Sequence, residues 1–260
     1  MVGTYVNLEV RKILSFGAIL GDEEILLPKK YMPEKVQIGE SVEVFIYTDS
    51  EDRIIATTLK PFGVLESIVA LEIVDIASNG VYLDLGIAKD IFLPCKNPHI
   101  FQRGKKVVVK IQKDKQERLI ASTHFKCFPC KDKRKIHQEM RALVRRKTPL
   151  GFECVIEEKY QGMIYHNEIF SPIKIGEEVN VSVRNIRSDG KMDLKLILED
   201  EAQSLLKILR ANANYLKLTN DSDPQEIYKV AKISKKAFKR AVAKLGDRLE
   251  KSQEGITLLR

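Results

Sequence analysis

The chain has 260 residues, 44 Lys and Arg against 36 Asp and Glu, a net charge of +8 and no tryptophan. The basic balance favours a polyanionic partner. Glu66, Glu72 and Asp75 break the longest apolar run and no hydrophobic leader opens the chain, so neither a spanning helix nor a secretory signal is expected, and a cytoplasmic protein is.

In chain order, residues 8–14 read as a first strand, residues 15–20 lead through Gly17 into residues 25–27, and Gly39 precedes Val42, Val44 and Ile46. The alternation of apolar and polar residues here is period two, so these are strands with one wet face. Arg53 opens a last strand. The same landmarks return as residues 67–76, Gly80, residues 91–93, Gly104 with Val107, Val109 and Ile111, and Arg118. A third set comprises Gly151, residues 163–165, Gly176 with Val179, Val181 and Val183, and Lys191, which sits one residue further from its glycine than Arg53 and Arg118 do from theirs. A period of about 65–72 residues suits a small β domain rather than a solenoid unit. Five short antiparallel strands with a glycine at the bend predict a closed OB-type barrel, since closure removes free edges. SH3-like barrels share the glycine and valine pattern.

Phe16-Gly17-Ala18-Ile19-Leu20, Asp90-Ile91-Phe92-Leu93-Pro94 and Gln161-Gly162-Met163-Ile164-Tyr165 resemble strands of the S1-type RNA-binding module. Repeat 1 departs from it at Ile19, repeat 2 at Asn79, and repeat 3 at Leu150 and Glu153.

Between the second and third repeats, Lys126, Lys131, Lys133, Arg134, Lys135, Arg141, Arg145, Arg146 and Lys147 face only Asp132 and Glu139. Ile136, Met140, Leu143 and Val144 recur at helical spacing, predicting a short amphipathic helix in a basic linker. Cys127 and Cys130, near His124 and His137, have zinc-like content, but a proline inside the turn and the histidine spacing fit no finger. The four cysteines are expected to be reduced thiols, and no metal or cofactor is expected.

From Glu201 the period becomes 3.6. Leu205, Leu206, Ile208 and Leu209 start a helix after Asp200, and Ser222-Asp223-Pro224 opens a second running to about Ile233. Ser234 caps a third helix with Phe238, Ala241, Val242 and Leu245 inside and Gly246 as its stop. A turn at Gln253-Glu254-Gly255 completes a hairpin, and three helices plus a hairpin make a winged helix. The boundaries are 1–61, 62–130 and 148–200 for the barrels, 131–147 for the linker and 201–260 for the winged helix, giving a mainly β chain with a small α+β domain. Ser234-Lys235-Lys236-Ala237-Phe238-Lys239 resembles the winged helix of the conserved virulence factor B family, and the layout is similar throughout.

Single-strand binding needs aromatic faces for bases and cations for phosphates. If the second strands alternate as read, Phe16 and Tyr82 face outward; a one-residue slip would bury them. The candidate set is Phe16, Tyr82, Phe92 and Tyr165 for stacking, with Arg53, Arg118, Arg145, Arg146, Lys147, Lys191, Lys235, Lys236, Lys239 and Arg240 for the backbone. No phosphate loop, metal-binding helix or serine elbow is present, so no enzyme is expected. The expected partner is single-stranded RNA, including transcripts and the ribosome or RNA-processing machinery. The resemblance implies post-transcriptional regulation. The alternatives are a duplex-DNA regulator acting through the winged helix and a protein scaffold; no membrane is expected.

Overall fold

Each run of alternating residues becomes one wall of a five-stranded cylinder in the computed structural model, which describes residues 1–169, 172–197 and 201–259. The first barrel comprises β1 (Tyr5–Leu14), β2 (Gly17–Leu20), β3 (Ile25–Pro28), β4 (Ser41–Thr48) and β5 (Ile54–Thr57). The second comprises β6 (Ile68–Ala77), β7 (Gly80–Leu83), β8 (Ile91–Pro94), β9 (Lys106–Lys113) and β10 (Leu119–Ser122). The third comprises β11 (Glu139–Thr148), β12 (Gly151–Ile156), β13 (Tyr160–Tyr165), β14 (Glu178–Ile186) and β15 (Met192–Leu196). All three close in one neighbour order: first, second, third, fifth, fourth and back to first, with the third and fifth strands parallel. That order is the five-stranded OB barrel.

The glycine opening each second strand permits a close strand approach. A Cβ on Gly17, Gly80 or Gly151 would lie 2.3, 2.4 or 2.0 Å from the carbonyl oxygen of Leu27, Leu93 or Ile164 respectively. Gly17→Ala should therefore destabilise the chain by about 1–3 kcal/mol through overpacking. An unmoved urea midpoint would refute that.

The wet face read from sequence is dry at chosen places. On β4 the outward Phe45 and Tyr47 are buried and join the second barrel's core, while on β9 the outward Val108 is buried with Ile68 and Val155 at the junction with the third barrel. The matching outward residues of β14, Asn180, Ser182 and Arg184, are polar. Backbone bonds reinforce both junctions, from Leu65 N–H to the Gly3 carbonyl at 2.8 Å and from Phe128 N–H to the Lys159 carbonyl at 2.8 Å. Residues 1–196 accordingly form one compact unit.

The expected linker helix is absent. Residues 139–148 are β11, so the third barrel starts inside the segment read as a connection, with Met140, Ala142 and Val144 turned inward.

The second unit is a winged helix, described by itself. It contains α1 (Glu201–Ala211), β16 (Tyr215–Leu216), α2 (Pro224–Ala231), α3 (Lys235–Leu245), β17 (Leu249–Lys251) and β18 (Ile256–Leu258). Asp200, the expected start signal of α1, lies outside the described residues. Asp223 caps α2 through Gln225 N–H at 2.7 Å with Pro224 in the first turn, and Ser234 caps α3 through Ala237 N–H at 3.2 Å. Phe238, Ala241, Val242 and Leu245 pack inward as their spacing predicts. The short β16, unread in the sequence, joins the hairpin as a third strand. Among the described residues no helix is long and apolar enough to cross a membrane.

Candidate nucleic-acid interface

One row of residues crosses four neighbouring strands at the same place in every barrel. It reads Lys12, Ile19, Leu26 and Ile55 in the first, Asp75, Tyr82, Phe92 and Ile120 in the second, and Arg146, Glu153, Met163 and Asp193 in the third. Identical backbones thus carry an aliphatic, an aromatic and an ionic row.

The second barrel brings two predicted residues together. Tyr82 and Phe92 face each other across β7 and β8 with ring centroids 5.1 Å apart at 48°, and Tyr82 is 39% exposed. This tilted pair offers π faces at the surface. Beside it, Asp75 is held below the usual carboxylate range by the Ile76 N–H and by the Arg103 guanidinium. In the first barrel Phe16 sits in the turn before β2 and is 60% exposed.

The third barrel has no stacking platform at that row. Glu153 is buried, and its two carboxylate oxygens receive Arg145 Nη1 at 3.0 Å and Arg146 Nη2 at 2.7 Å. Arg145 also donates to the Thr123 carbonyl at 2.8 Å and lies 3.8 Å from the Phe125 ring centroid. The expectation that Arg145 and Arg146 offer free cations is corrected: buried Glu153 requires them as counter-charges, and Arg145 is itself largely covered. Lys147 is exposed and has no ion pair among the described residues.

Arg53 and Arg118 prove to be turn staples. Asp49 accepts from the N–H groups of Glu51 and Arg53 and from Arg53 Nε at 2.8 Å, and Asp114 repeats the arrangement with Gln116 and Arg118. Burial pushes the Asp49 carboxyl up, but the bonds from Arg53 and Glu51 outweigh it and hold it below its ordinary value. Arg118 reaches further, to Asp52 of the first barrel at 3.1 Å, and Asp52 also faces Lys89 at 3.5 Å. Lys191 pairs with Asp189 at 3.1 Å. The expected strand-opening role of the two arginines shifts by one residue, since β5 and β10 begin immediately after them.

Tyr165 is half-buried, its hydroxyl donating to Asp193 at 3.0 Å and its ring 5.8 Å from the Arg187 guanidinium carbon. On the winged helix, Lys236 and Lys239 are exposed on α3, whereas Lys235 bonds the Asp221 carbonyl at 3.1 Å and Arg240 is held by Glu201 through Nε at 2.9 Å. Sequence reasoning missed Lys89, Asp52 and the group around Asp193. Burial pushes the Cys154 thiol up to about 12 and raises Cys127 as well.

Comparison with known proteins agrees with this architecture. The S1 domain model matches residues 2–59 and 67–124, the first two barrels, and a CvfB-like winged helix domain matches residues 203–258. An uncharacterized protein of Bacillus subtilis, YitL, is 24% identical over 94% of this chain and 88% of its own. Conserved virulence factor B of Staphylococcus epidermidis is 23% identical over 94% of this chain and 90% of its own. A crystal structure of a multidomain protein with nucleic acid binding domains from Streptococcus pneumoniae is 20% identical, covers 99% of this chain and 98% of its own, and has a TM-score of 0.47.

Proposed function

The chain belongs to the conserved virulence factor B family, with its S1 domains and CvfB-like winged helix, and on that premise we propose that it is a cytoplasmic protein that binds single-stranded RNA and regulates gene expression after transcription, acting by binding alone. Its domain content supports nucleic-acid binding. The Tyr82–Phe92 pair carries the choice of RNA strand over duplex, because exposed rings receive unstacked bases, which a duplex keeps inside. The second barrel is the main platform, since the first barrel's row is aliphatic and Glu153 fills the corresponding position in the third. Lys236 and Lys239 on α3 add phosphate contacts. The wing carries Arg248 and Lys251 beside Glu250 and Glu254, so it offers no net positive charge to duplex phosphates.

Tyr82→Ala should weaken binding of a labelled RNA oligonucleotide to the full chain by about 1–3 kcal/mol, measured by fluorescence anisotropy. Affinity should also fall as salt rises. Undiminished affinity in Tyr82→Ala would remove the second barrel from the interface, and tighter binding to duplex DNA than to RNA would replace the RNA reading.

A further inference from the structure

Outward apolar residues of the three barrels follow a rule that one face breaks. Phe45 and Tyr47 point out of the first barrel and are covered by the second barrel's core, and Val108 is covered at the junction with the third. On β14 the matching outward residues are polar. On the first barrel the buried Ala18, Leu20, Ile25 and Leu27 turn inward, so Ile19 and Leu26, paired across β2 and β3, turn outward. Leu14, opposite Gly17, shares that face, and Phe16 stands in the turn between them. Leu14 is 38% and Phe16 60% exposed, and these four side chains lie outside every hydrophobic core of the described residues. Half-buried Ile55 continues the face from β5 up to the second barrel's core. An open apolar face rimmed by charge marks a protein contact.

Its spacing and charge select what covers it. Neighbouring strands lie about 4.8 Å apart, so Ile19, Leu26 and Ile55 form a line of side chains that crosses the strands at that interval. An α-helix rises about 5.4 Å per turn, so apolar residues at i, i+3 or i+4 and i+7 meet such a line. The aliphatic line offers a nucleobase neither a π face nor a hydrogen bond. Lys29 and Lys30 border one end of β2 and β3, exposed and without an ion pair among the described residues, and the Lys29 N–H donates to the Phe16 carbonyl at 2.9 Å. At the opposite end Asp22 is engaged by Arg11 at 2.6 Å and Glu24 faces Lys12 at 4.0 Å, which leaves Glu23 as the free acid there. The flank beside Phe16 is therefore the cationic one.

We propose that this face of the first barrel docks a partner protein through an amphipathic helix, whose aliphatic stripe lies along Ile19, Leu26 and Ile55 and whose acidic flank meets Lys29 and Lys30. Such recognition reads helical anchors at i, i+3, i+4 and i+7. Leu14 and Phe16 border the stripe on its cationic side. The proposal is independent of the RNA reading, which the second barrel carries on the same strands with Tyr82 and Phe92 in place of Ile19 and Leu26.

The test titrates the full chain into two fluorescein-labelled peptides with leucines at i, i+3, i+4 and i+7, one with glutamate and one with lysine at the remaining positions, and reads fluorescence anisotropy. The unaltered chain should bind the glutamate peptide at least roughly tenfold tighter than the lysine peptide. Ile19→Thr/Leu26→Thr retains strand-forming residues; it should lose roughly tenfold for the glutamate peptide, the worth of one buried anchor, with RNA oligonucleotide affinity in place. Lys29→Glu/Lys30→Glu changes only exposed side chains and should reverse the preference toward the lysine peptide. Absence of saturable binding by the unaltered chain, equal affinity for the two peptides, unchanged affinity in Ile19→Thr/Leu26→Thr or an unmoved preference in Lys29→Glu/Lys30→Glu would each overturn the helix site. A parallel loss of RNA affinity in Ile19→Thr/Leu26→Thr would give the face to RNA and overturn it as well.

Discussion

Phe45→Ala should cost about 3–5 kcal/mol of stability, the range for deleting a buried phenylalanine ring. The ring is fully buried although it points outward from its own barrel, packs edge-on at 5.5 Å from Tyr5, and joins the core built around Leu71, Ile73 and Val81 of the second barrel. Truncation therefore opens a void between two barrels, not within one. The loss should appear in urea unfolding of the full chain as an early transition in which the first barrel melts ahead of the rest. A change below about 1 kcal/mol would show that the junction does not depend on this ring.

Glu153→Ala is expected to be comparably severe. Removing one partner of a buried ion pair leaves the others desolvated without compensation, typically about 3–5 kcal/mol. Arg146 is well exposed and can turn to water, so the strain falls on Arg145, which is 15% exposed and wedged against Phe125. About 3 kcal/mol is expected by thermal or urea unfolding. Glu153→Gln should cost less, since its amide oxygen still accepts from one guanidinium. If Glu153→Ala unfolds with the midpoint of the unaltered chain, the pair adds nothing to stability. Because Arg145 also bonds the Thr123 carbonyl, the substitution should loosen the junction of the second and third barrels.

The barrels were readable because closure imposes period-two alternation and a glycine at a fixed place, and both survive as sequence patterns. The segment 139–148 misled for a physical reason. Its inward residues are Met140, Ala142 and Val144, one of them small, and a bulge between Val144 and Arg146 breaks the alternation just where Leu143 beside Val144 imitates a helical spacing. The dryness of Phe45 and Tyr47 was beyond local reading, since the covering surface belongs to another repeat.

The interface was legible only in kind. The ring at Tyr82 followed from alternation, whereas its pairing with Phe92 is a cross-strand relation that the pattern of one strand does not report. Their chemistry did not extend to the arginines, whose partners decide what they do. Arg118 meets Asp52 across 66 positions of sequence, a relation no local pattern reports. The Asp49–Arg53 and Asp114–Arg118 staples, four residues apart, are a signal that sequence inspection can use. The one-residue displacement of Lys191 was likewise visible before its cause, the bulge in β14.

The contrast between Phe45 and Tyr47 on one cylinder and Asn180 and Ser182 on the last has a practical reading for dissection. A fragment severed after the first cylinder would carry two greasy rings into water and should clump, whereas one ending after the third presents a hydrophilic terminus at that position. Piecewise study of this protein is therefore best begun from the whole triplet.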